Sequence, residues 1–230
     1  MKIISDKNNL QVLYEDNHII VVNKRAGDIV QGDKTGDKPL SEVVKEYIKD
    51  KYNKPGEVFL GVVHRLDRPT TGIVLFARTS KALTRLNDLF KNRETQKTYW
   101  AAVKNKPEHV EGTLTHYMVR NPKNNTSRAY VKEVPNSKKA VLDYRLIYTL
   151  NNYYIIEVEL HTGRHHQIRA QLSAIGSPIK GDLKYGFDRS NPDGGINLHA
   201  RKLVFVHPVS KNKISLTAPL PDDAIWRAVE

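Results

Sequence analysis

The sequence contains no cysteine, which excludes disulfide bonds, thiol nucleophiles and thiolate-bound metal sites. It has no uninterrupted apolar run of membrane-spanning length, and residues 1–30 lack the charged-then-apolar pattern of a secretory signal. Acidic residues are comparatively few, because 25 Asp and Glu stand against 37 Lys and Arg. These absences are typical of a cytoplasmic protein that does not associate with membranes.

The excess of basic residues favours a polyanionic partner. The net charge is +12 and the pI is near 9.7, and the neutralisation of phosphates releases counterions, which drives association. Many basic proteins bind nucleic acid only in passing, so the charge indicates an RNA partner only together with specific motifs. At 230 residues the chain is long enough to bury a core, as one large domain or two small ones.

The spacing of apolar residues predicts many short strands and a few interspersed helices. Short apolar or alternating segments predict the strands, and apolar residues three or four positions apart predict the helices. Strands are predicted at residues 10–15, 18–23, 58–63, 73–77, 98–103, 140–150, 154–160, 198–207 and 213–216. Helices are predicted at residues 39–52, 80–92, 165–174 and 221–229, with Ser80 as an N-cap. The alternating strands at 140–150 and 154–160, joined through Asn151-Asn152, predict a long antiparallel hairpin. Without repeats or long linkers, the whole pattern indicates an α+β fold with a large, mostly antiparallel sheet flanked by helices and loops.

A charged loop, HRLDRPTTG at residues 64–72, lies between two predicted buried strands. Pro69 and Gly72 mark irregular backbone in this loop. Its one carboxylate, Asp67, lies among two arginines and a histidine, and such a cluster is often an ion-pair network that ties down a surface loop. Two features favour chemistry instead. The loop holds more positive than negative charge, and neighbouring cations keep a carboxylate ionised, as a nucleophile requires.

This loop resembles the catalytic motif of the RluA-type pseudouridine synthases, which many members write HRLDxxTSG. Further matching stretches follow in the expected order: KTYWA at 97–101, GRHHQIRAQL at 163–172 and PIKGDLKYG at 178–186, then LHA at 198–200 and HP at 207–208. The likeness covers about residues 10–220. Each motif alone is a weak signal, whereas four in order are a strong one.

The resemblance implies a single catalytic domain over residues 1–230 with the pseudouridine synthase fold. It implies an isomerase that converts uridine to pseudouridine in rRNA or tRNA and uses no cofactor and no metal. Asp67 would be the nucleophile, toward either the base or the ribose. Tyr99 would pack on the target uracil, Arg169 would pair with the catalytic carboxylate, and Arg65 would fill the space that the flipped-out uridine leaves.

The sequence departs from the family pattern at two places. Residues 23–27 read NKRAG where relatives usually have NKPxG. This difference weakens any role that the family resemblance would assign to the backbone of that loop. Thr71 replaces the common serine but keeps the hydroxyl group. Asp182 is a candidate second acid, although a role in a turn or as a helix cap is favoured.

Some motif residues are expected to support the structure. His64 should support the charged loop by hydrogen bonding, and Trp100 should have a structural role on the opposite face of its strand from Tyr99. Ile168 and Leu172, four residues apart, should anchor the helix at 165–174 to the core.

Two rival functions stay open at this point. A catalytically silent RNA-binding relative would use the same basic surface, but Asp67, Tyr99 and Arg169 are all present in their motifs. A glycosidase or nuclease would need a second acid or metal ligands. Three histidines are closely spaced: His161, His165 and His166. The four-residue spacing from His161 to His165 is one that metal ligands use on a helix, but Thr162-Gly163 interrupts any helix there.

The likeness begins near residue 10, so we expect no separate RNA-binding domain before the catalytic one. Target choice would then depend on the catalytic domain's own surface. The segment 120–128, rich in Lys, Arg and Asn, is a candidate for this role, or equally a solvated loop. Nothing in the sequence implies an obligate protein partner, and we expect a monomer.

Overall fold

The structure, a computed structural model, describes residues 4–33 and 35–229. Its strands are β1 (Val12–Glu15), β2 (Ile19–Lys24), β3 (Gly61–Val62), β4 (Thr71–Ala77), β5 (Gln96–Val103), β6 (Glu111–Asn121), β7 (Thr126–Tyr130), β8 (Lys138–Thr149), β9 (Tyr154–Leu160), β10 (Leu198–Val206) and β11 (Lys213–Thr217). Its α-helices are α1 (Leu40–Lys51), α2 (Ser80–Lys91), α3 (Gln167–Ala174) and α4 (Ala224–Arg227), and Leu183–Tyr185 forms a 3-10 helix. Within the described ranges no helix combines the length and the apolar character needed to cross a bilayer.

The chain divides into two compact units. Unit 1 comprises Met1–Gln96 and Ala200–Pro221, and unit 2 comprises Lys97–His199 and Asp222–Glu230. Both units combine mostly antiparallel strands with helices and loops, which confirms the predicted α+β class. The single catalytic domain expected over residues 1–230 stays a prediction.

Unit 1 is built around two strands that are buried on both faces. Its strand order is β1-β2-β4-β10, with β3 beside β4 and β11 beside β10. Every residue of β2 and β4 is buried, as their continuous apolar sequences predict. On one face, Ala82 and Leu86 of α2 pack with the alternate residues of these strands. The loop that enters β4 is therefore attached to a strand that is buried along its whole length.

Two local predictions in unit 1 were wrong in detail. The N-cap of α2 is Thr79 and not Ser80, because the Thr79 side chain accepts a hydrogen bond from the Ala82 N–H at 3.2 Å. The strand predicted at residues 58–63 is reduced to β3, since only Gly61 and Val62 pair with β4.

Unit 2 contains the long hairpin that the alternating pattern predicted. Strands β8 and β9 pair antiparallel from Leu142 opposite Leu160 to Thr149 opposite Tyr154. The register shifts between Leu146 and Tyr148, an irregularity that the sequence analysis did not predict. The strand order of this unit is β5-β9-β8-β6-β7.

The β6–β7 hairpin was missed by the sequence analysis. Strand β6 pairs with β8 on one side and with β7 on the other, and a four-residue turn joins β6 to β7. Few apolar residues alternate in these strands, so local pattern gives only a weak signal. The segment 120–128 is thus the end of a hairpin whose residues 120–125 are exposed, and its role in target choice stays a prediction.

Substitution of Gly72 by alanine tests the junction between the charged loop and β4. Gly72 has φ +111°, and a Cβ at this position would lie 2.4 Å from the Ala200 carbonyl oxygen. We expect Gly72→Ala to lower the free energy of unfolding by about 3 kcal/mol, because both the backbone conformation and the β10 contact oppose a side chain. Urea denaturation measures this change.

Gly56 is the matched control, since a Cβ placed there would meet no atom within 4 Å and its φ is not in the left-handed region. Gly56→Ala should change the free energy of unfolding by less than about 1 kcal/mol. Equal effects of the two substitutions would contradict the steric argument.

Candidate functional site

The charged loop at residues 64–72 is held at its start by His64. The Nε2 atom of His64 accepts a hydrogen bond from the Leu75 N–H at 3.0 Å, and the imidazole stacks on Phe90 with 4.9 Å between the ring centroids. Accepting at Nε2 requires that this nitrogen carry no proton. His64 therefore supports the loop as predicted, through a backbone hydrogen bond and a ring contact.

The loop's backbone is organised around the buried ammonium group of Lys24. The Lys24 side chain is 1% exposed, and its Nζ donates to the carbonyl oxygens of Arg25 at 3.0 Å, Arg68 at 3.0 Å and Thr70 at 2.7 Å. Three N–H donors thus meet three carbonyl acceptors, two of which belong to the loop that carries Asp67. Lys24 therefore fixes the backbone of this loop immediately after Asp67.

Lys24 also places a charge beside two carboxylates. Burial lowers the pKa of the Lys24 ammonium from 10.5 to about 7, while the charges of Asp28 and Asp67 oppose this shift and Arg68 adds to it. Asp28 is itself buried, and its carboxylate accepts hydrogen bonds from the Ser5 N–H at 3.0 Å and the Ser5 hydroxyl at 2.6 Å. Asp67 therefore belongs to a charge cluster that sequence reasoning missed.

The two arginines that flank Asp67 differ in their availability. Arg68 donates from Nη1 to Asp37 at 2.6 Å and from Nη2 to Thr35 at 2.8 Å, and this pairing lowers the pKa of the Asp37 carboxyl. Arg65 is exposed, and within the described residues it makes no hydrogen bond or ion pair. Arg65 is the arginine of the loop that is available to a ligand.

Asp67 is half-buried, and its carbonyl oxygen accepts the Thr70 N–H at 3.0 Å in the turn that follows. The expectation that arginines keep this carboxylate ionised stays a prediction. Within unit 1, the charge of Lys24 also interacts with Asp67. A lysine that continues the apolar run IIVVN was the signal in the sequence, since lysines are seldom fully buried without a specific partner.

Tyr99 and Trp100 are adjacent on β5 of unit 2. Tyr99 is 8% exposed and lies opposite Val158 of β9. Trp100 points to the other face, where its indole N–H donates to Glu157 at 3.2 Å and its ring makes an edge contact with Tyr148. These contacts agree with the structural role predicted for Trp100.

Arg169 and Asp182 form a buried ion pair in unit 2. Arg169 Nε donates to one Asp182 carboxylate oxygen at 2.7 Å and Nη2 donates to the other at 2.8 Å, and both side chains are no more than 5% exposed. The guanidinium carbon also lies 4.9 Å from the centroid of the Tyr185 ring. Asp182 precedes the 3-10 helix but makes no capping hydrogen bond with its side chain.

The capping role favoured for Asp182 was therefore wrong. Its carboxylate fixes the orientation of Arg169 through a bidentate contact. The predicted pairing of Arg169 with the catalytic carboxylate stays a prediction. The core role predicted for Ile168 and Leu172 of α3 is confirmed, because both side chains are buried.

The neighbouring histidines have protein partners. The Nε2 atom of His161 lies 2.6 Å from Asp143, and the Nδ1 atom of His165 lies 2.9 Å from the Ser127 hydroxyl. Among residues 4–33 and 35–229, no group of three or more His, Cys, Asp or Glu side chains is arranged to hold a metal ion.

The predicted site residues fall in both units. Asp67 and Arg65 lie in unit 1, and Tyr99 and Arg169 lie in unit 2. In unit 1 the charges of Asp67 and Asp28 both raise the pKa of Lys24, against the effect of its burial. The assignment of the four predicted residues to catalysis and substrate binding stays a prediction.

Known proteins are similar to this chain in sequence and in fold. A family model described as RNA pseudouridylate synthase matches residues 18–174. An uncharacterized RNA pseudouridine synthase of Synechocystis is 32% identical over 229 residues, which cover 96% of this chain and 68% of that protein. The ribosomal large subunit pseudouridine synthase D of Zymomonas mobilis is 32% identical over 224 residues, which cover 93% of this chain and 70% of that protein.

The fold is similar to a solved human structure, RNA pseudouridylate synthase domain containing 4. The TM-score is 0.78 at 24% identity, and the match covers 94% of this chain and 90% of that chain. This likeness identifies the fold, which agrees with the fold that the sequence motifs implied.

Removal of Lys24 should change how stability depends on pH. The pKa of Lys24 is about 7 in the folded chain and near 10.5 when the lysine is exposed, so the unfolded chain binds more protons between these values. Protonation of Lys24 therefore destabilises the folded chain, and this cost decreases as pH rises from about 7 to about 10. We expect the free energy of unfolding of the wild type to rise across this window, relative to Lys24→Met, by up to about 5 kcal/mol.

Urea denaturation between pH 6 and 10 measures this difference. Lys45→Met on α1 is the control, because Lys45 forms only a surface ion pair with Glu42. Parallel pH curves for the wild type and Lys24→Met would show that Lys24 titrates normally, contrary to the prediction.

Substitution of Asp182 by asparagine removes the carboxylate charge that the buried Arg169 guanidinium contacts. We expect Asp182→Asn to lower the free energy of unfolding by about 3–5 kcal/mol, because loss of one charge from a buried ion pair is strongly destabilising. Asp188→Asn removes an exposed partner of Lys104 instead and should cost less than about 1 kcal/mol. Comparable losses in these two variants, measured by urea denaturation, would argue against a structural role for the buried pair.

Proposed function

Because this chain belongs to the RNA pseudouridylate synthase family, whose members isomerise uridine to pseudouridine in RNA, we propose that Asp67 is the nucleophile of that reaction. The observation that supports this proposal most directly is the position of Asp67. It lies in a loop whose backbone is fixed by Lys24, and it interacts electrostatically with the Lys24 charge. Such a loop presents one carboxylate in a defined orientation.

The reaction exchanges one bond of the ribose for another. The bond between the anomeric carbon and N1 of uracil breaks, a bond from the anomeric carbon to C5 forms, and the C5 proton leaves while N1 gains a proton. Asp67 attacks either C6 of the base or the ribose carbon, and this new bond breaks again before pseudouridine is released, which regenerates the carboxylate. The detached base is itself the acceptor. One carboxylate therefore suffices, because no water has to be activated as in glycoside hydrolysis.

The other three residues complete the proposal. Tyr99 packs its ring on the everted uracil, since an aromatic face holds a base outside its stack. Arg65 fills the space that the uridine leaves, and its exposure and lack of a partner in the described part of the chain support this role. Arg169 sustains the ionised state of the catalytic carboxylate, with Asp182 fixing its orientation.

The substrate that we propose is a uridine in structured rRNA or tRNA. The name of the Zymomonas relative refers to the large ribosomal subunit, so ribosomal RNA is the first substrate to test. The net charge of +12 supports binding to such a polyanion. The proposed activity requires no cofactor and no metal.

Substitution of Asp67 by asparagine tests the proposed nucleophile. Asparagine keeps the size of the side chain but cannot form the covalent intermediate, so the rate should fall by at least about three orders of magnitude. The measurement is release of tritium from RNA labelled at C5 of uracil, on bulk ribosomal and transfer RNA. Asp50→Asn on the exposed side of α1 makes the same change in charge and should retain the wild-type rate.

The same assay separates the rival functions. An isomerase releases tritium without strand scission and without free uracil, whereas a glycosidase releases uracil and a nuclease cuts the strand. A silent RNA-binding relative retains RNA but releases no tritium. Normal tritium release by Asp67→Asn would refute the assignment of Asp67.

A further inference from the structure

The end of the β6–β7 hairpin carries positive charge without acidic residues. We call this end the basic hairpin and define it by Arg120, Lys123 and Arg128, which are all exposed. From residue 112 to residue 132 the sequence contains no Asp or Glu. Within the described ranges, none of these three side chains forms an ion pair.

Several cations of unit 1 differ from these three because they are paired with carboxylates. The pairs are Lys7 with Asp50, Lys38 with Glu46, Lys45 with Glu42, Lys51 with Glu15 and Arg68 with Asp37. In the basic hairpin, Arg120 donates instead to the neutral Asn125 side chain at 3.3 Å, and Arg128 lies over the Tyr130 ring. The charge of the basic hairpin is therefore not neutralised within the described part of the chain.

The cations occupy both faces of the hairpin. Arg120 lies opposite Ser127 and Arg128 lies opposite Val119, and neighbouring positions of a strand point to opposite faces. Lys123 lies in the turn between them. A ribbon with cations on both faces and at its tip is suited to lie between two phosphate strands, as in a groove of paired RNA.

The hairpin end is fixed by the segment around α3. His165 contacts the Ser127 hydroxyl from Nδ1 at 2.9 Å and Asn125 from Nε2 at 3.1 Å. The Tyr185 hydroxyl accepts the buried Ser127 N–H at 2.8 Å, and Lys184 Nζ donates to the Asn125 carbonyl oxygen at 3.3 Å. The cations are thus held on a rigid support, which lowers the entropy that binding has to remove.

The contacts of Tyr185 that fix the hairpin end, which we call the anchor, also extend to Arg169. The Tyr185 hydroxyl lies 2.8 Å from His166 Nδ1, and the ring of Tyr185 packs against the Arg169 guanidinium. His166 has φ +53° immediately before α3, a conformation that is uncommon for a residue with a side chain. A continuous series of contacts therefore joins the hairpin end to the residue proposed to act on the catalytic carboxylate.

We propose that the basic hairpin is an RNA-docking element that inserts between the phosphate strands of a paired region near the target uridine. This inference rests on the proposed function, because it names the part of the chain that holds the RNA. Arg120, Lys123 and Arg128 each neutralise phosphate, and the anchor at Tyr185 keeps them in position.

The salt dependence of binding tests the proposal. The probe is a fluorescein-labelled RNA stem–loop with a uridine-rich loop, titrated with the full chain from about 50 to about 200 mM salt. Each of Arg120→Gln, Lys123→Gln and Arg128→Gln should make the slope of log K against log salt shallower by about one, and the triple variant by about three. An unstructured strand of the same composition should show a smaller change.

A matched triple variant controls for net charge. Lys45→Gln, Lys49→Gln and Lys54→Gln remove the same charge from the region of α1 and should leave the slope within experimental error of the wild type. Tyr185→Phe keeps the ring but loses the hydroxyl contacts, so it should weaken binding several-fold without changing the slope. Circular dichroism checks that each variant is folded.

The outcomes separate the two proposals. If the wild type binds and isomerises RNA while the hairpin variants keep its slope, or lose no more than the α1 control, the docking proposal is wrong and the proposed function stands. If the wild type neither binds nor isomerises ribosomal or transfer RNA, the proposed function itself fails. Equal slope changes on the stem–loop and on the unstructured strand would overturn insertion between paired strands.

Discussion

The buried ammonium group of Lys24 is the interaction on which the candidate site in unit 1 depends. The loop segment before β4, which contains Pro69, has no regular hydrogen-bond ladder, so its carbonyl oxygens need other donors. Lys24 supplies three hydrogen bonds from the end of a strand that is buried on both faces. The same group places a charge beside Asp67. Backbone order and electrostatics at Asp67 thus have one source.

Unit 2 also contains a buried cation, the guanidinium group of Arg169. Arg169 is almost as deeply buried as Lys24, but its partner is the carboxylate of Asp182 and not a set of carbonyl oxygens. The planar guanidinium suits a bidentate contact and leaves a face for the Tyr185 ring, whereas the lysine ammonium suits three convergent carbonyl oxygens. In both units a buried cation defines the geometry of an irregular segment.

The other cations differ in whether they are paired with groups of the chain or available to a ligand. In unit 1, Arg68 is paired with Asp37, while Arg65 three residues earlier is exposed without a partner in the described part of the chain. In unit 2, the basic hairpin retains its charge because neutral groups and an aromatic ring surround it. Cations that are already neutralised add little to the binding of a polyanion. Net charge alone therefore says less about RNA binding than the partners of each cation.

The sequence by itself determined the α+β class, most strands and helices, the β8–β9 hairpin and the loop that carries Asp67, because these depend on local periodicity, turn residues and contiguous motifs. Only the tertiary structure decided that Lys24 lies beneath that loop, that Asp182 binds Arg169, and that residues 111–130 form a hairpin anchored by Tyr185. These features join residues that are far apart in the chain. The partner of a buried charge is determined by tertiary packing, and a polar strand forms where a neighbouring strand supplies hydrogen bonds. Neither feature can therefore be predicted from a local sequence pattern.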